Sequence, residues 1–289
     1  MRRHDFEIKN IATDALLAAA LILVALMVVS PATAQQSQAR SWCYGNSADV
    51  ETISGCTLVI LSGRESQRNL ANAYFNRGIA YKNQHDFDRA IADYTQAIQL
   101  NPKDAKPHVN RGNVYSDKGD FDRAIADYSE AIQLDPKYAF AYLNRGLANL
   151  FTGALAKAVA DLNQASELEP KFAYTALWLD IANKRSNLPS RLPEAIKQID
   201  MAKWPAPVIR LYLGQLTPEA LLAAADDPDT TKRKEQICDA NFFSGELALQ
   251  RGAKDEATRL FRLAATDCPK NRDAYDSANA ELKTLGASP

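Results

Sequence analysis

The sequence predicts an all-α fold, an α-solenoid of stacked helix pairs with capping helices at both ends. Three observations predict it. Asn-Arg-Gly at 76–78 recurs at 110–112 and at 144–146, a period of 34 residues. Apolar residues recur at the i, i+3, i+4, i+7 spacing of a helix face, and glycine or proline separates the helical stretches. Periods of 20–50 residues are typical of solenoids, in which each unit buries its apolar face against the next.

Three contiguous repeats, 71–104, 105–138 and 139–172, follow from this period. The segment DFDRAIADYTQAIQLNPK at 86–103 is nearly identical to DFDRAIADYSEAIQLDPK at 120–137. Each repeat has a glycine within its first helix, where glycine costs about 1 kcal/mol relative to alanine. Such a glycine indicates the close approach of another helix, while Gly119 and Gly153 mark turns between helices. The expected neighbours of Gly78, Gly112 and Gly146 are Ala90, Ala124 and Ala158.

The recurring glycine, alanine, aromatic, alanine and proline positions resemble the tetratricopeptide repeat (TPR) pattern. If Gly245 is aligned with the glycine of the first helix, Gly252 falls at the turn and Phe261 at the aromatic position. The spacing therefore predicts a fourth TPR at 238–271. The resemblance also implies that the sixth residue of each repeat lies on a concave face, where TPR proteins often hold partner peptides.

The N-terminus has the layout of a secretory signal. Basic residues precede the apolar run Ala15–Val29, and Ala32-Thr33-Ala34 follows a Ser-Pro break. This pattern predicts a signal peptide at 1–34, cleavage before Gln35, export to a bacterial periplasm and no stable membrane insertion afterwards. An uncleaved anchor is the alternative, but the run is shorter than the roughly 17–25 residues that span a bilayer.

Four cysteines, Cys43, Cys56, Cys238 and Cys268, remain after the predicted cleavage. An even number in an exported protein indicates disulfides. Zinc is the competing interpretation, but the two remaining histidines lack zinc-ligand spacing, so we expect no metal. Cys238 and Cys268 fall at the same end of the fourth helix pair, which favours a bond between them. A Cys43–Cys56 bond is expected to pin a loop to a helix that begins near residue 50.

The segments outside the repeats are expected to cap or extend the array. Residues 35–70 are predicted as an N-terminal capping segment, 173–237 as a helical extension without the repeat spacing, and 272–289 as a C-terminal capping helix and tail. Terminal repeats need such caps because their outer faces lack a neighbour. Residues 225–235 are expected to form an exposed loop, since Asp, Pro and Thr dominate them.

The order of ALWLDIA, KWPAPVIRLYLGQLTPEALL and NFFSGELALQRGAKDEATRLFRLA resembles the C-terminal half of the new lipoprotein I family of bacterial envelope TPR proteins. With the repeats, the resemblance covers roughly residues 71–285. Members of that family are dimeric adaptors that present proteases and cell-wall hydrolases to their substrates. The resemblance therefore implies a homodimer whose partners are envelope proteins. This chain lacks the family's lipid-bearing cysteine, so outer-membrane anchoring is not implied.

The candidate binding residues lie on the predicted concave face. An asparagine amide can both donate to and accept from a peptide backbone, so the asparagine at the sixth position of each repeat is a candidate contact. Alternatively, Asn-Arg-Gly is simply common in such repeats. The predicted partner-binding residues are Asn76, Asn110, Asn144, Lys106, Asn113, Phe140, Leu147 and Phe151.

Two further patterns have two interpretations each. The apolar face of the third repeat's first helix either packs on residues 173–225 or contacts a peptide or a second copy. The recurring arginine and aspartate form either structural ion pairs or solvated charges, worth under about 1 kcal/mol each where exposed. The residues concerned are Phe140, Leu143, Leu147, Leu150 and Phe151 for the face, and Arg77, Arg111, Arg145, Asp93, Asp127 and Asp161 for the charges.

Charge and motifs favour a binding protein over an enzyme. The net charge is −1 with no basic stripe, which disfavours nucleic acid and anionic membrane surfaces as partners. The sequence has no G-x-S-x-G, P-loop or H-E-x-x-H motif, so we expect no catalytic site and no cofactor. The predicted function is a periplasmic adaptor or scaffold. The alternative is a structural envelope protein that self-associates or binds cell-wall polymer directly.

Overall fold

The computed structural model describes residues 31–269 and 273–288. All regular structure in these ranges is helical, which confirms the predicted all-α class. None of the helices described there combines the length with the hydrophobicity that a membrane span requires. The apolar run of the predicted signal lies outside the described residues. The helices are α1 Pro31–Tyr44, α2 Asp49–Leu61, α3 Gln67–Asn83, α4 Phe87–Leu100, α5 Ala105–Asp117, α6 Phe121–Leu134, α7 Ala139–Phe151, α8 Leu155–Leu168, α9 Ala173–Arg185, α10 Leu192–Ala195, α11 Ala206–Tyr212, α12 Pro218–Ala224, α13 Thr230–Gln250, α14 Lys254–Asp267 and α15 Asp273–Thr284.

Local sequence sets the boundaries of the repeat helices. Asp86 and Asp120 cap α4 and α6, because each carboxylate accepts a hydrogen bond from the backbone N–H three residues later. The turn before α6 needs a positive φ, which Gly119 supplies at 75°. His85 takes the same place before α4 with a φ of 58°, a conformation that residues other than glycine seldom adopt.

The helices stack in two layers. The first helices of successive pairs, α1, α3, α5, α7, α9, α13 and α15, contact one another in that order and form the inner layer. The second helices of the repeats, α4, α6 and α8, pack behind them. Because α15 also contacts α7, the inner layer curves back on itself at its C-terminal end.

The glycines of the first helices do permit a close approach, but the expected neighbour was wrong. A Cβ added to Gly112 would lie 2.7 Å from Cε1 of Tyr128, and one added to Gly146 would lie 2.9 Å from Cγ of Leu162. Tyr128 lies one turn after Ala124 on the same face of α6, and its ring reaches further than an alanine methyl group. The glycines therefore accommodate large side chains rather than the alanines.

The recurring arginine and aspartate form buried ion pairs. Arg111 donates from Nε and Nη2 to the two carboxylate oxygens of Asp127, at 2.8 and 2.7 Å, and from Nη1 to Oγ1 of Thr95 at 2.9 Å. The Asp127 side chain is only 6% exposed. Arg77 and Arg145 repeat this pattern, with Asp93 and Thr57, and with Asp161 and Ser129. Each arginine thus joins its own repeat to the preceding second helix, a stronger arrangement than an exposed pair.

The apolar face of the third repeat packs on the extension. Leu143 and Leu150 are buried in one apolar core that continues through α9, α11, α13, α14 and α15. The rings of Phe151 and Trp178 lie 6.0 Å apart, centroid to centroid. Phe140 is 47% exposed and contacts Phe172 at the edge of this core. Of the two interpretations of this face, packing on the extension is the one that the structure supports.

Disulfides join Cys43 to Cys56 and Cys238 to Cys268, the pairs that the sequence predicts. The segment before α2 is the helix α1, however, not a loop. It is helical because Ala39 and Cys43, one turn apart, are buried on one face with Val59 of α2 and Ala73 of α3. The disulfide Cys43–Cys56 therefore connects two helices, α1 and α2.

The segment at 225–235 is only partly a loop. The long helix α13 begins at Thr230, so the second half of the segment is helical. The Asp229 carboxylate accepts hydrogen bonds from the backbone N–H groups of Thr231 and Lys232, and this cap starts the helix earlier than the composition indicates. Residues 230–235 are exposed or half-buried, as expected.

Candidate functional site

A cavity of about 260 Å³, here called the inner cavity, opens on the inner layer. The C-terminal halves of α3, α5 and α7 form three of its sides, and α15 forms the fourth. Its volume is suited to one or two side chains of a ligand rather than to a large cofactor. The lining residues are Lys82, Asn83, His85, Phe87, Asn113, Ser116, Asp117, Phe121, Tyr128, Asn144, Leu147, Phe151, Asp276, Ser277 and Ala280.

Two asparagines on neighbouring helices form the polar centre of the cavity. Oδ1 of Asn113 accepts hydrogen bonds from the hydroxyl of Tyr128 and from Nδ2 of Asn144, both at 2.9 Å. These two bonds fix both amides in one orientation. Within the described part of the chain, Nδ2 of Asn113 and Oδ1 of Asn144 have no hydrogen-bond partner. The pair therefore offers N–H donors and one carbonyl acceptor to a ligand.

An apolar wall stands beside this amide pair. The rings of Phe121 and Phe151 lie 6.0 Å apart, and Leu147 lies one turn before Phe151 on α7. Phe151 is supported from behind by Trp178 of the extension. The wall is therefore held by the second repeat, the third repeat and the extension together. An apolar side chain placed against it would lose contact with water.

The charged side chains of the cavity are one lysine and two aspartates. Nζ of Lys82 lies 3.8 Å from Oδ2 of Asp117, and α15 adds Asp276. Burial, and then the carboxylates of Asp117 and Asp93, raise the pKa of Tyr94 well above its ordinary value. The Tyr94 hydroxyl thus stays protonated, and it is buried without a hydrogen-bond partner among the described residues. In the second repeat, the equivalent hydroxyl of Tyr128 is bonded to Asn113.

The predicted binding residues fall into two groups. Asn113, Asn144, Leu147 and Phe151 line the inner cavity. The other four, Asn76, Asn110, Lys106 and Phe140, lie outside it.

Two of the asparagines outside the cavity already make hydrogen bonds. Nδ2 of Asn76 donates to the carbonyl oxygen of Cys43 in α1 at 2.9 Å, so this amide joins the N-terminal cap to the first repeat. Nδ2 of Asn110 donates to the carbonyl oxygen of Lys106 in its own helix. Lys106 and Phe140 are exposed one turn earlier on their helices. A partner contact at any of these positions stays a prediction.

Sequence reasoning missed part of the cavity. Lys82, Ser116 and Asp117 lie in the last turns of the first helices, and extending the repeat register to those turns finds them. Asp276 and Ser277 of α15 carried no such signal, because α15 has no equivalent in the repeats. No group of three or more His, Cys, Asp or Glu side chains in the described ranges is placed to hold a metal ion.

Comparison with protein-family models gives four matches inside the repeat region. Models described as tetratricopeptide repeat match residues 71–104, 93–126 and 141–172, and one described as TPR repeat matches 112–150. Residues 71–172 are tetratricopeptide repeats. The resemblance seen in the sequence is thereby confirmed for this region.

Solved structures show how far the fold extends. A tetratricopeptide repeat protein from Parabacteroides merdae is 17% identical, with 86% of this chain and 99% of that chain covered and a TM-score of 0.54. This similarity confirms the solenoid fold over most of the chain. The TPR domain of Arabidopsis OM64 is 27% identical over 41% of this chain and 98% of that one, with a TM-score of 0.40. The second TPR domain of human RPAP3, solved with an HSP70 peptide, is 28% identical over the same shares, also with a TM-score of 0.40.

Proposed function

We propose that this protein is an adaptor without catalytic activity of its own, which holds a segment of a partner protein against its inner layer. The observation that carries the proposal is the Asn113–Asn144 pair. Its two amides are oriented by their mutual hydrogen bond and leave N–H donors and one carbonyl oxygen available to a ligand. A peptide backbone offers the complementary acceptor and donor at every residue, so the pair binds backbone without requiring one sequence.

The apolar wall supplies the second part of the affinity. A partner segment whose backbone meets the amide pair can place an apolar side chain against Phe121, Leu147 and Phe151. Burial of such a side chain contributes about 1.5–3 kcal/mol, and each new hydrogen bond about 0.5–1.5 kcal/mol. Together these terms favour a segment with one large apolar residue.

The same segment is proposed to continue along the inner layer. Lys106 and Phe140 are exposed at the starts of α5 and α7, beyond the cavity, and Asn110 lies one turn further along α5. Lys106 would pair with an acidic residue of the partner, and Phe140 with an apolar one. By resemblance, the partners are envelope proteins such as proteases or cell-wall hydrolases, and the adaptor works as a homodimer.

The proposed location is the bacterial periplasm, after cleavage before Gln35. Both disulfides support an oxidising compartment, because such bonds rarely persist in the cytosol. The test is the intact mass of the native protein and its cell fraction. A cytosolic protein, or a native mass that includes residues 1–34, would contradict the proposal.

Site-specific photocrosslinking tests the binding surface. A photoreactive amino acid replaces Ser116 in the inner cavity, and a matched variant carries it at exposed Gln133 on the outer helix α6. We expect a defined partner segment to be crosslinked at position 116 and not at position 133. Equal crosslinking at both positions, or sedimentation with purified cell-wall polymer and no protein crosslink, would contradict the adaptor proposal.

Titration of the identified segment measures how much the predicted binding residues contribute to the affinity. The triple variant Lys106→Glu, Asn110→Ala, Asn144→Ala reverses one charge and removes two amides, and none of the three residues is buried. We expect at least tenfold weaker binding, about 1.4 kcal/mol, with unchanged helicity. Unchanged affinity in the folded variant would place the binding surface elsewhere.

A further inference from the structure

The fourth side of the inner cavity belongs to α15, which is not part of any repeat. Asp276, Ser277 and Ala280 of this helix line the cavity, and α15 contacts α7 as well as α13 and α14. Its opposite face, with Ala274, Ala278 and Leu282, is buried in the C-terminal core. The position of α15 therefore sets how far the cavity is open.

A buried charge cluster holds this helix in place. Nη2 of Arg185 in α9 donates to Oε1 of Glu281 in α15 at 2.8 Å. The same nitrogen donates to Oε2 and Oε1 of Glu246 in α13, at 2.7 and 3.0 Å. Glu246 is 0% exposed and Glu281 is 2% exposed. One guanidinium nitrogen thus connects three helices through two carboxylates.

The cluster has one negative charge too many if both carboxylates are ionised. Two buried carboxylates that share a site repel each other, and one of them tends to keep its proton. Nearby charges do not correct the imbalance, because Asp180 is paired with Lys184 at 2.9 Å. The ionisable groups around the cluster are Asp180, Lys184 and Arg185 of α9, Tyr212 of α11, Glu246 of α13 and Glu281 of α15.

The other two helices that pack on α15 add no charge to the cluster. The one charged side chain of α7, Arg145, is paired with Asp161. The charged side chains of α14 are all exposed. The proton balance at the cluster is therefore decided by Arg185, Glu246 and Glu281.

We propose that Arg185, Glu246 and Glu281 form a proton-sensitive latch, which holds α15 against the inner cavity when one carboxylate is protonated and releases it when both are ionised. The latch regulates access to the inner cavity. Its relevance to partner binding rests on the function proposed above.

The direction of the pH effect follows from the cluster. Burial, and then Glu281, raise the pKa of Glu246 to about 8, whereas a solvated glutamate titrates near 4.3. Docked α15 therefore keeps a proton that the released state gives up. Docking is strongest below about pH 4.5, weakens as the pH rises through neutrality and stops changing above about pH 8.

Hydrogen exchange of the full-length protein without a partner tests the latch. Exchange of α15 amides is followed by mass spectrometry at about pH 5.5, 6.5 and 7.5, and each rate is divided by the intrinsic rate at that pH. We expect the opening constant of α15 to rise at least about tenfold between pH 5.5 and 7.5. The amides of α5, in the middle of the repeats, serve as the internal reference and should not follow this trend.

Two variants distinguish the latch from general destabilisation. Glu281→Gln keeps an acceptor for Arg185 but removes the extra charge, so the opening constant should become low and independent of pH. Glu256→Gln removes an exposed carboxylate of α14 and should retain the wild-type pH dependence. A wild-type opening constant that is flat with pH, or one that keeps its pH dependence in Glu281→Gln, would overturn the latch.

The exchange experiment is independent of the proposed function. If α15 opens with pH as expected but no partner segment binds at any pH, the latch stands and the adaptor proposal fails. If α15 exchange is flat while a segment binds in the inner cavity, the adaptor proposal stands and the latch fails.

Discussion

The three repeats at 71–172 and the C-terminal unit, residues 173–269 and 273–288, bury charge in different ways. In the repeats, each buried aspartate meets its own arginine 16 residues away, through two hydrogen bonds. In the C-terminal unit, Arg185 serves Glu246 and Glu281, which are 61 and 96 residues away in the chain. Each repeat thus neutralises its buried aspartate with an arginine of the same repeat. The C-terminal unit depends on contacts between distant segments and leaves one carboxylate without its own cation.

The apolar cores differ in the same way. Tyr94 and Tyr128 centre two separate small cores in the first and second repeats. One continuous core runs from Leu143 of the third repeat through to Leu282 of α15. We therefore expect the first two repeats to lose stability locally when changed, as a one-dimensional array does, and the C-terminal unit to respond as a whole.

The largest expected effect comes from the disulfide of the C-terminal unit. Replacing Cys238 and Cys268 by alanine opens a bond between residues 30 positions apart, which in the chain-entropy model stabilises by about 3–4 kcal/mol. The matched variant replaces Cys43 and Cys56, 13 positions apart at the end of the array, at a cost of about 3 kcal/mol. Denaturation monitored by hydrogen exchange should show a loss of stability throughout α9–α15 for the first variant. For the second, the loss should be confined to α1–α3, and a loss throughout the chain would contradict the comparison.

The next effect tests the local ion pairs. Arg111→Met leaves the Asp127 carboxylate buried without its cation, and we expect a loss of about 3 kcal/mol in the free energy of unfolding. Burial raises the pKa of the Asp127 carboxyl, but the hydrogen bonds from Arg111 and the nearby His108 imidazole together hold this pKa below its ordinary value. The pair therefore stabilises the protein above about pH 4, and this contribution is lost as the pH falls further. Urea denaturation at about pH 7 and pH 3 measures both the stability lost in Arg111→Met and the dependence of that loss on pH.

A double variant serves as the control for this pair. Arg111→Met combined with Asp127→Leu removes both charges, so it should cost clearly less than Arg111→Met alone. If the double variant loses as much as the sum of the two single variants, the pair is not coupled and the interpretation of the repeats as local charge pairs fails.

A smaller effect is expected at the glycines of the first helices. Gly112→Ala places a Cβ 2.7 Å from the Tyr128 ring, which should cost about 1–2 kcal/mol although alanine favours the helix. Gly146→Ala meets Leu162, a flexible side chain that can move, so its cost should be lower. Thermal unfolding of the two variants makes the comparison. A larger loss at Gly146 would show that the rigidity of the neighbouring ring does not decide the effect.

The smallest expected effect comes from exchanging one residue between the first and second repeats. Ile79 occupies the position of Asn113, and the hydroxyl of Tyr94 is buried there without a partner among the described residues. Ile79→Asn should give that hydroxyl an acceptor and offset the lost apolar contact, for a net change within about 1 kcal/mol of wild type. Asn113→Ile should lose about 0.5–1.5 kcal/mol, because Tyr128 and Asn144 lose their acceptor. Equal losses in both variants would mean that the unpaired hydroxyl carries no penalty.

The parts of the fold that could be predicted from the sequence are those that repeat. The 34-residue period gives the three repeats. Aligning Gly245 with the glycines of the first helices places Cys238 and Cys268 at the same end of one helix pair, where they form a disulfide. Half of the predicted binding residues line the inner cavity, at the register positions of Asn113, Asp117 and Asn144. Asn76 has the same register position as Asn144 but is bonded to α1 instead, since its neighbouring first helix is the N-terminal cap.

The sequence by itself determined the helical pairs, the mid-helix glycines and the cysteine pairing, because each depends on residues at fixed spacing within a unit. The tertiary structure decided which side chain fills the space above each glycine, since Tyr128 and Ala124 lie on the same helix face and only packing selects between them. It also decided the fourth side of the inner cavity and the cluster of Arg185, Glu246 and Glu281. Those three residues meet only after α9, α13 and α15 have packed together, and no local spacing records a contact between residues 96 positions apart.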